Sequence, residues 1–324
     1  MQALVWTAPY ESSLETLDRP ELGPEQTELE VLATGICGSD LHGYRGHSPV
    51  RVPPLVLGHE VVGRDVHGTA YVVNPLIGCG ECRLCEAGWP NLCPHRGLLG
   101  LDRPGAFAQY VAVPTANLTP LPDSMTPQLG TLVEPLATPV NALSTVELKR
   151  NSVVAVIGAG PIGLLAGYAA KRAGAGFVST HDVEPVRAEF ARRHADVVGV
   201  TAASVRDELL GASDGLGADL VIDAVGIAAT RSDALALVRP GGVIAQIGLG
   251  AEAGEVPLAD VARKGVTIRG VYAYTAEHFA EALRLLNETP PPLDWVAETS
   301  LDEGPELLST LADGRGPVKA IFIF

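Results

Sequence analysis

The chain has 324 residues, 47% hydrophobic and 19% charged, which is enough apolar material for large cores and excludes disorder or a fibrous repeat. Its 38 acidic and 23 basic side chains give a formal net charge of −15, and no stretch gathers Lys and Arg into a stripe along a phosphate backbone, so nucleic acid is not an expected partner. The 5 cysteines are too few and too unevenly placed for a disulfide scaffold.

The opening segment, MQALVWTAPYESS, lacks a basic start followed by an apolar run of signal-peptide length, and a cytoplasmic protein is expected. Residues 1 to about 135 read as short strands and loops, with alternating patches at 27–33 and 108–113 between Gly and Pro turns. From about 150 to 272 strand and helix patterns alternate: VVAVIG, PIGLLAGYAAKRAG, FVSTHD, PVRAEFARRHA, ADLVIDAVG, TRSDALALVRPGG, VIAQIGL and VTIRGVY. That alternation predicts an α/β unit with a parallel sheet. Residues 151–170 form 20 uncharged positions, the length of a membrane span. Gly158, Gly160, Pro161 and Gly163 break them into strand, turn and helix, and no membrane partner is expected. Gly215 and Gly217 read as a turn. The last 50 residues hold an amphipathic helix around 278–286 and a final apolar strand, AIFIF, which must return to a sheet to be buried.

Four cysteines stand at 79, 82, 85 and 93, spaced C-x2-C-x2-C-x7-C in NPLIGCGECRLCEAGWPNLCP. Four thiols this close in a cytosolic chain point to a closed tetrahedral zinc site that folds a loop rather than doing chemistry. The fifth, Cys37 in TGICGSDLHGYRG, is accompanied downstream by His59 and Glu60 in GHE and by Glu134 in VEPLA. A thiolate, an imidazole and a carboxylate make three ligands and leave the fourth position of a catalytic zinc open for water or substrate.

Gly158-Ala159-Gly160-Pro161-Ile162-Gly163 is a G-x-G-x-x-G sequence that follows a predicted strand and opens a predicted helix, the context that makes it a dinucleotide fingerprint. Gly158 serves the tight turn, Gly160 the approach of the backbone to a pyrophosphate, and Gly163 close helix packing, with the helix N-terminus facing the phosphates. Asp182, at the end of the next predicted strand, suits both ribose hydroxyls and repels a 2′-phosphate, favouring NAD over NADP. Arg187, five residues on, is the group that could pair with such a phosphate.

These segments together resemble the zinc-dependent medium-chain dehydrogenase/reductase family of alcohol, sorbitol and threonine dehydrogenases. The likeness runs through GICGSDLH, PPLVLGHE, CGECRLC with Cys93, GAFAQYV, VEPLA, GAGPIG and RPGGVIAQIG, in the family's order and over nearly the whole chain. It implies a GroES-like β-rich catalytic domain at 1–137 and 274–324 and an inserted Rossmann domain at 138–273, with zinc and nicotinamide meeting in a cleft between them. It implies two zinc ions per subunit, one catalytic and one structural, and a homodimer or homotetramer.

Carried over position by position, Cys37 and His59 resemble the first two catalytic zinc ligands and Glu134 the third. Glu60 resembles an alternate ligand or a group beside the ligands. Ser39 matches the hydroxyl that takes the substrate proton, His42 the relay residue that hands it on, and Asp40 a partner for the ligand histidine. Other readings stay open: Ser39 and Asp40 are also favoured helix caps, His42 could be a loop histidine, Glu134 a surface carboxylate and Glu60 half of a buried salt bridge. Residues 61–78 are shorter than the family's usual segment, which predicts a trimmed hairpin.

The activity implied is zinc- and NAD-dependent oxidation of a secondary alcohol, polyol, sugar-derived or amino alcohol, to the ketone. Tyr44, Arg45, His47, Asp102 and Phe107 are candidates for lining the substrate pocket, and Arg45 with His47 for an acidic or phosphorylated substrate. A nucleotide- or redox-sensing protein without catalysis and a zinc-independent reductase are the competing functions. The complete ligand and relay sets argue against both.

Overall fold

The segment QTELEVLATG alternates polar and apolar residues at its start and becomes continuously apolar or small at its end, as a strand does when it passes from a sheet rim into a core. It forms the strand Gln26–Gly35 in a computed structural model that describes residues 1–324. The chain separates into two units, 1–135 with 282–324, and 136–281.

In the first unit, Gln26–Gly35 is the hub of a 7-stranded sheet, pairing with Glu60–Arg64, Tyr110–Pro114 and the C-terminal strand Lys319–Ile323. The predicted AIFIF strand is therefore buried by return to the N-terminal sheet, with Ile321 opposite Gly35 and Ile323 opposite Ala33. Glu60–Arg64 and Ala70–Val73 form the expected short hairpin, whose turn is closed by Asp65 Oδ1 accepting from the amides of His67 and Thr69. A smaller sheet of Glu11–Thr16, Gln2–Ala8 and Leu55–Val56 packs Leu4, Trp6 and Val56 into a core with Phe107 and Phe322.

The second unit is a six-stranded parallel sheet. Its strands are β1 (Val153–Ile157), β2 (Phe177–His181), β3 (Val197–Gly199), β4 (Ala218–Asp223), β5 (Val238–Gln246) and β6 (Thr267–Gly270), in the order β3-β2-β1-β4-β5-β6. The helices between them are α1 (Pro161–Arg172), α2 (Pro185–Ala191), α3 (Ala202–Ala212), α4 (Ala228–Leu237) and α5 (Leu258–Lys264). Every residue of β1 is buried, as a central strand covered on both faces requires. Residues 151–170 become β1, a turn and α1, and no helix of the chain is long and apolar enough to cross a membrane. The strand order reverses beside β1, which places a crevice for a ligand at the carboxyl ends of β1 and β4.

Candidate active site and metal centres

Cys37 leads from the end of the hub strand into the helix Gly38–Tyr44, and His59 and Glu60 enter the neighbouring strand, so strand pairing of Gly35 with Glu60 brings the two segments together. Ligand atoms of Cys37, His59 and Glu60 all lie within 4.8 Å of one another. The close packing depends on Gly35, where a Cβ would meet Glu60 Oε2 at 1.8 Å.

Asp40 holds this arrangement from below. Its Oδ2 accepts from the Cys37 amide at 3.0 Å, closing the first turn of the helix, while its Oδ1 stands 3.2 Å from His59 Nδ1, near but not aligned as a hydrogen bond. The capping role and the histidine-partner role thus fall to opposite oxygens of one carboxylate. Burial works against its charge, yet His59, Arg51 and the Cys37 amide hold the Asp40 carboxyl below the usual carboxylate range. Burial works against a charged His59 too, and Asp40 and Cys37 lift it well above the ordinary histidine value.

Two residues without a role in the sequence reading complete the scaffold. Arg51 is buried and donates from Nε to the Gly100 carbonyl at 2.8 Å and from Nη1 to the Ser39 carbonyl at 2.9 Å. Lys319, from the C-terminal strand, pairs with Glu60 and donates to the Ile36 carbonyl at 2.9 Å. Glu60 is thus both within reach of the ligand cluster and half of a buried salt bridge. Glu134, near the start of the helix Val133–Leu143 and half-buried, does not join the cluster.

Ser39 is exposed beside the cluster, with Oγ 3.5 Å from His59 Nε2. His42, three residues on and on the same helix face, is also exposed, its ring edge-on to that of His47 at 5.4 Å. Two of the pocket candidates, Tyr44 and Phe107, are corrected by their burial. The Tyr44 hydroxyl donates to the Tyr10 carbonyl and its ring is buried. The half-buried Arg45 guanidinium donates from Nε to the Ala312 carbonyl at 3.0 Å, which ties it to the first unit. Asp102 accepts from the Leu98 amide at 2.8 Å and pairs with Arg103. Phe107 is wholly buried against Phe322 and fills the space beside Gly58, where a Cβ would meet its ring at 2.3 Å. Phe107 therefore shapes the turn before His59 instead of meeting a substrate.

The second cysteine set folds on its own loop. Cys79 follows the short strand Leu76–Ile77, Cys82 caps the turn of helix Arg83–Glu86 that carries Cys85, and Cys93 follows Pro90–Leu92. Sulfur separations are 3.5 Å for Cys79 and Cys93, 3.7 Å for Cys82 and Cys93, and 4.0 Å for Cys79 and Cys85. A tetrahedron with zinc–sulfur bonds of about 2.3 Å has edges of about 3.8 Å, so the four thiols fit one such ion. Amides of Cys79 and His95 aimed at its sulfur draw Cys93 down to about 6 despite desolvation. Cys85 receives an amide from Gly80, but desolvation and its three thiol neighbours push it up to about 11.

In the second unit the glycine fingerprint sits where β1 turns into α1. Gly158 has φ +93°, Gly163 has no room for a Cβ, which would meet the Gly158 carbonyl at 1.8 Å, and a Cβ on Gly160 would face open space. Pro161 and Ile162 open α1, Pro161 in the first helical position where its missing N–H costs nothing. Asp182 Oδ2 accepts from the Ala159 amide at 2.6 Å and Oδ1 from the Glu184 amide at 2.9 Å, which fixes the carboxylate and leaves lone pairs for other donors. Gly158, Asp182 and Arg187 line one pocket together with His181, Val200, Ile227 and other residues from the ends of β1 to β4.

Residues 23–123 match the alcohol dehydrogenase GroES-like domain and residues 161–288 the zinc-binding dehydrogenase family. A sorbitol dehydrogenase of Bacillus subtilis (strain 168) is 33% identical over 85% of this chain and 82% of its own length. The chain belongs to the zinc-dependent medium-chain dehydrogenase/reductase family. An L-threonine 3-dehydrogenase of Alteromonas mediterranea is 34% identical over 80% of each chain. Among solved structures, an alcohol dehydrogenase from Thermus sp. ATN1 is 31% identical, with a TM-score of 0.91 over 100% of this chain and 99% of that one. As a medium-chain dehydrogenase the protein is an oxidoreductase of CH–OH donors, with a GroES-like unit and a Rossmann unit, that works with zinc and a nicotinamide cofactor.

Proposed function

We propose that this medium-chain dehydrogenase oxidises a secondary alcohol of the polyol, sugar-derived or amino alcohol type to the ketone, with NAD as acceptor. The observation that carries the reading is the convergence of Cys37, His59 and Glu60 within 4.8 Å beside the exposed Ser39 hydroxyl. Zinc held by Cys37, His59 and a carboxylate would lower the pKa of a substrate hydroxyl toward neutrality, and the nicotinamide would take up the hydride.

The chain's own residues do the rest. Ser39 Oγ accepts the hydroxyl proton as its own hydroxyl proton leaves toward His42, which delivers one to solvent. Asp40 fixes the orientation of the His59 ring, and Arg51 pins the Ser39 backbone. Glu60 and Glu134 are the two candidates for the carboxylate ligand. Metal analysis of Glu60→Gln and Glu134→Gln decides between them: the ligand's variant loses catalytic zinc, the other keeps it.

NAD over NADP rests on Asp182, whose carboxylate is fixed by two amides at the end of β2, while Arg187 is the one arginine lining that pocket and no lysine lines it. The Cys79, Cys82, Cys85 and Cys93 set would hold a second, structural zinc. Assembly as a dimer or tetramer fits β6, an edge strand exposed along its whole length, which presents unpaired backbone to a second copy. Turnover of a panel of polyols, amino alcohols, inositols and sugar phosphates with NAD and NADP tests the substrate class. No reduction of either cofactor by any member would refute it.

A further inference from the structure

One polar group in the cofactor-unit pocket has no part in these roles. His181 ends β2, in register with Ile157 of β1, which is itself in register with Asp223 of β4. It is only 4% exposed, lines the pocket, and its Nε2 has no hydrogen-bond partner. Asp233 Oδ2 on α4 is 3.6 Å away, beyond hydrogen-bond length. Buried polar atoms are almost always paired, so an unpaired one that borders a pocket points to a ligand that pairs with it.

Of the neighbouring carboxylates, Asp223 is already engaged. Asp223 accepts from the amides of Val225 and Gly226 and from the Thr230 hydroxyl. His181 Nε2 and the Asp233 carboxylate are left side by side, a donor next to an acceptor. The walls around them, with Val183, Val200 and Ile227, are apolar and partly exposed, which suits the faces of a flat ring. Asp182 and Gly158 line the same pocket, so an adenosine whose ribose meets Asp182 carries its base into this space.

We propose that His181 and Asp233 read the amino edge of adenine, His181 Nε2–H donating to a ring nitrogen while Asp233 accepts from the adjacent exocyclic amine. Adenine offers this pattern of donor beside acceptor. Hypoxanthine replaces the amine by a carbonyl and sets a lone pair against the Asp233 carboxylate, leaving that side chain badly paired. The inference deepens the reading of this unit as an NAD site and rests on it.

The test is titration of the full-length, zinc-loaded protein with NADH and with its hypoxanthine counterpart, followed by calorimetry, for the parent, His181→Leu and Asp233→Ala. Asp233 is partly exposed, so its variant keeps the test valid if His181→Leu folds poorly. The parent should bind NADH about tenfold or more tighter than the analogue. Each variant should weaken NADH, and Asp233→Ala, which removes the carboxylate that the carbonyl opposes, should bring the two affinities to within about twofold. Equal affinities in the parent, an unchanged ratio in Asp233→Ala, or unweakened NADH binding in His181→Leu would overturn the pair as a base reader while leaving the NAD site standing. Binding of neither dinucleotide would overturn the NAD site and the pair with it.

Discussion

Lys319 donates its ammonium to the Glu60 carboxylate across 259 residues of chain, and both side chains are 1% exposed. The last strand of the protein therefore holds one of the acidic groups beside Cys37 and His59. This gives the return of the C-terminus to the first unit a chemical purpose besides the burial of Ile321 and Phe322.

Removing one partner of such a pair leaves a buried, uncompensated charge. Lys319→Met should lower unfolding stability by about 3–5 kcal/mol in urea titrations, and Glu60→Gln in the same chain should restore most of it. A loss below about 1 kcal/mol would show that the pair carries little.

Asp40 touches no substrate in this account but orients His59. Asp40→Asn should reduce activity or zinc affinity by about 10- to 100-fold while the affinity for NADH is unchanged, as measured by metal analysis and dinucleotide titration. Full activity with full zinc content would remove Asp40 from the site.

The cysteine loop should depend on its metal for folding. Cys93→Ser should cost about one equivalent of zinc per chain and expose residues 80–92 to limited proteolysis, with dinucleotide binding retained. Protease resistance in zinc-depleted protein would mean that the loop folds without an ion.

His181 also makes a pH prediction. Burial outweighs the pull of Asp233, Asp182 and Asp223 and holds it below the ordinary histidine value, so it stays neutral in the fold when a free histidine protonates at about 6.5. Its contribution to stability is present above that pH and is lost as pH falls below it, because the unfolded chain takes up the proton first. Between about pH 7.5 and about pH 5.5, the parent should lose more stability than His181→Leu. Parallel pH profiles would contradict this.

What could be read from sequence was what local spacing encodes. The cysteine quartet, the glycine fingerprint after β1 and the apolar C-terminal strand each announce themselves within a few residues. Lys319 does not, because a single lysine in VKAIFIF looks like a strand-edge charge until the strand is paired beside Glu60. Arg51, in a Pro-rich loop, gains its meaning only from the Gly100 and Ser39 carbonyls it meets. The misplaced pocket candidates have the same cause. Tyr44 and Phe107 stand close in sequence to Ser39 or to the metal loop, yet the Tyr44 hydroxyl meets a backbone carbonyl and both rings lie in the core of the first unit. The helix α3 is faint in AASVRDELLGA because only Ala202, Val205 and Leu209 are buried.

The central claim, zinc-dependent hydride transfer from a secondary alcohol, is tested most directly by comparing the parent with Cys37→Ser under a panel of polyols and amino alcohols, following reduced nicotinamide. The account predicts turnover by the zinc-loaded parent, and none by Cys37→Ser although it binds NADH as the parent does. Turnover by protein shown to be free of zinc would contradict it.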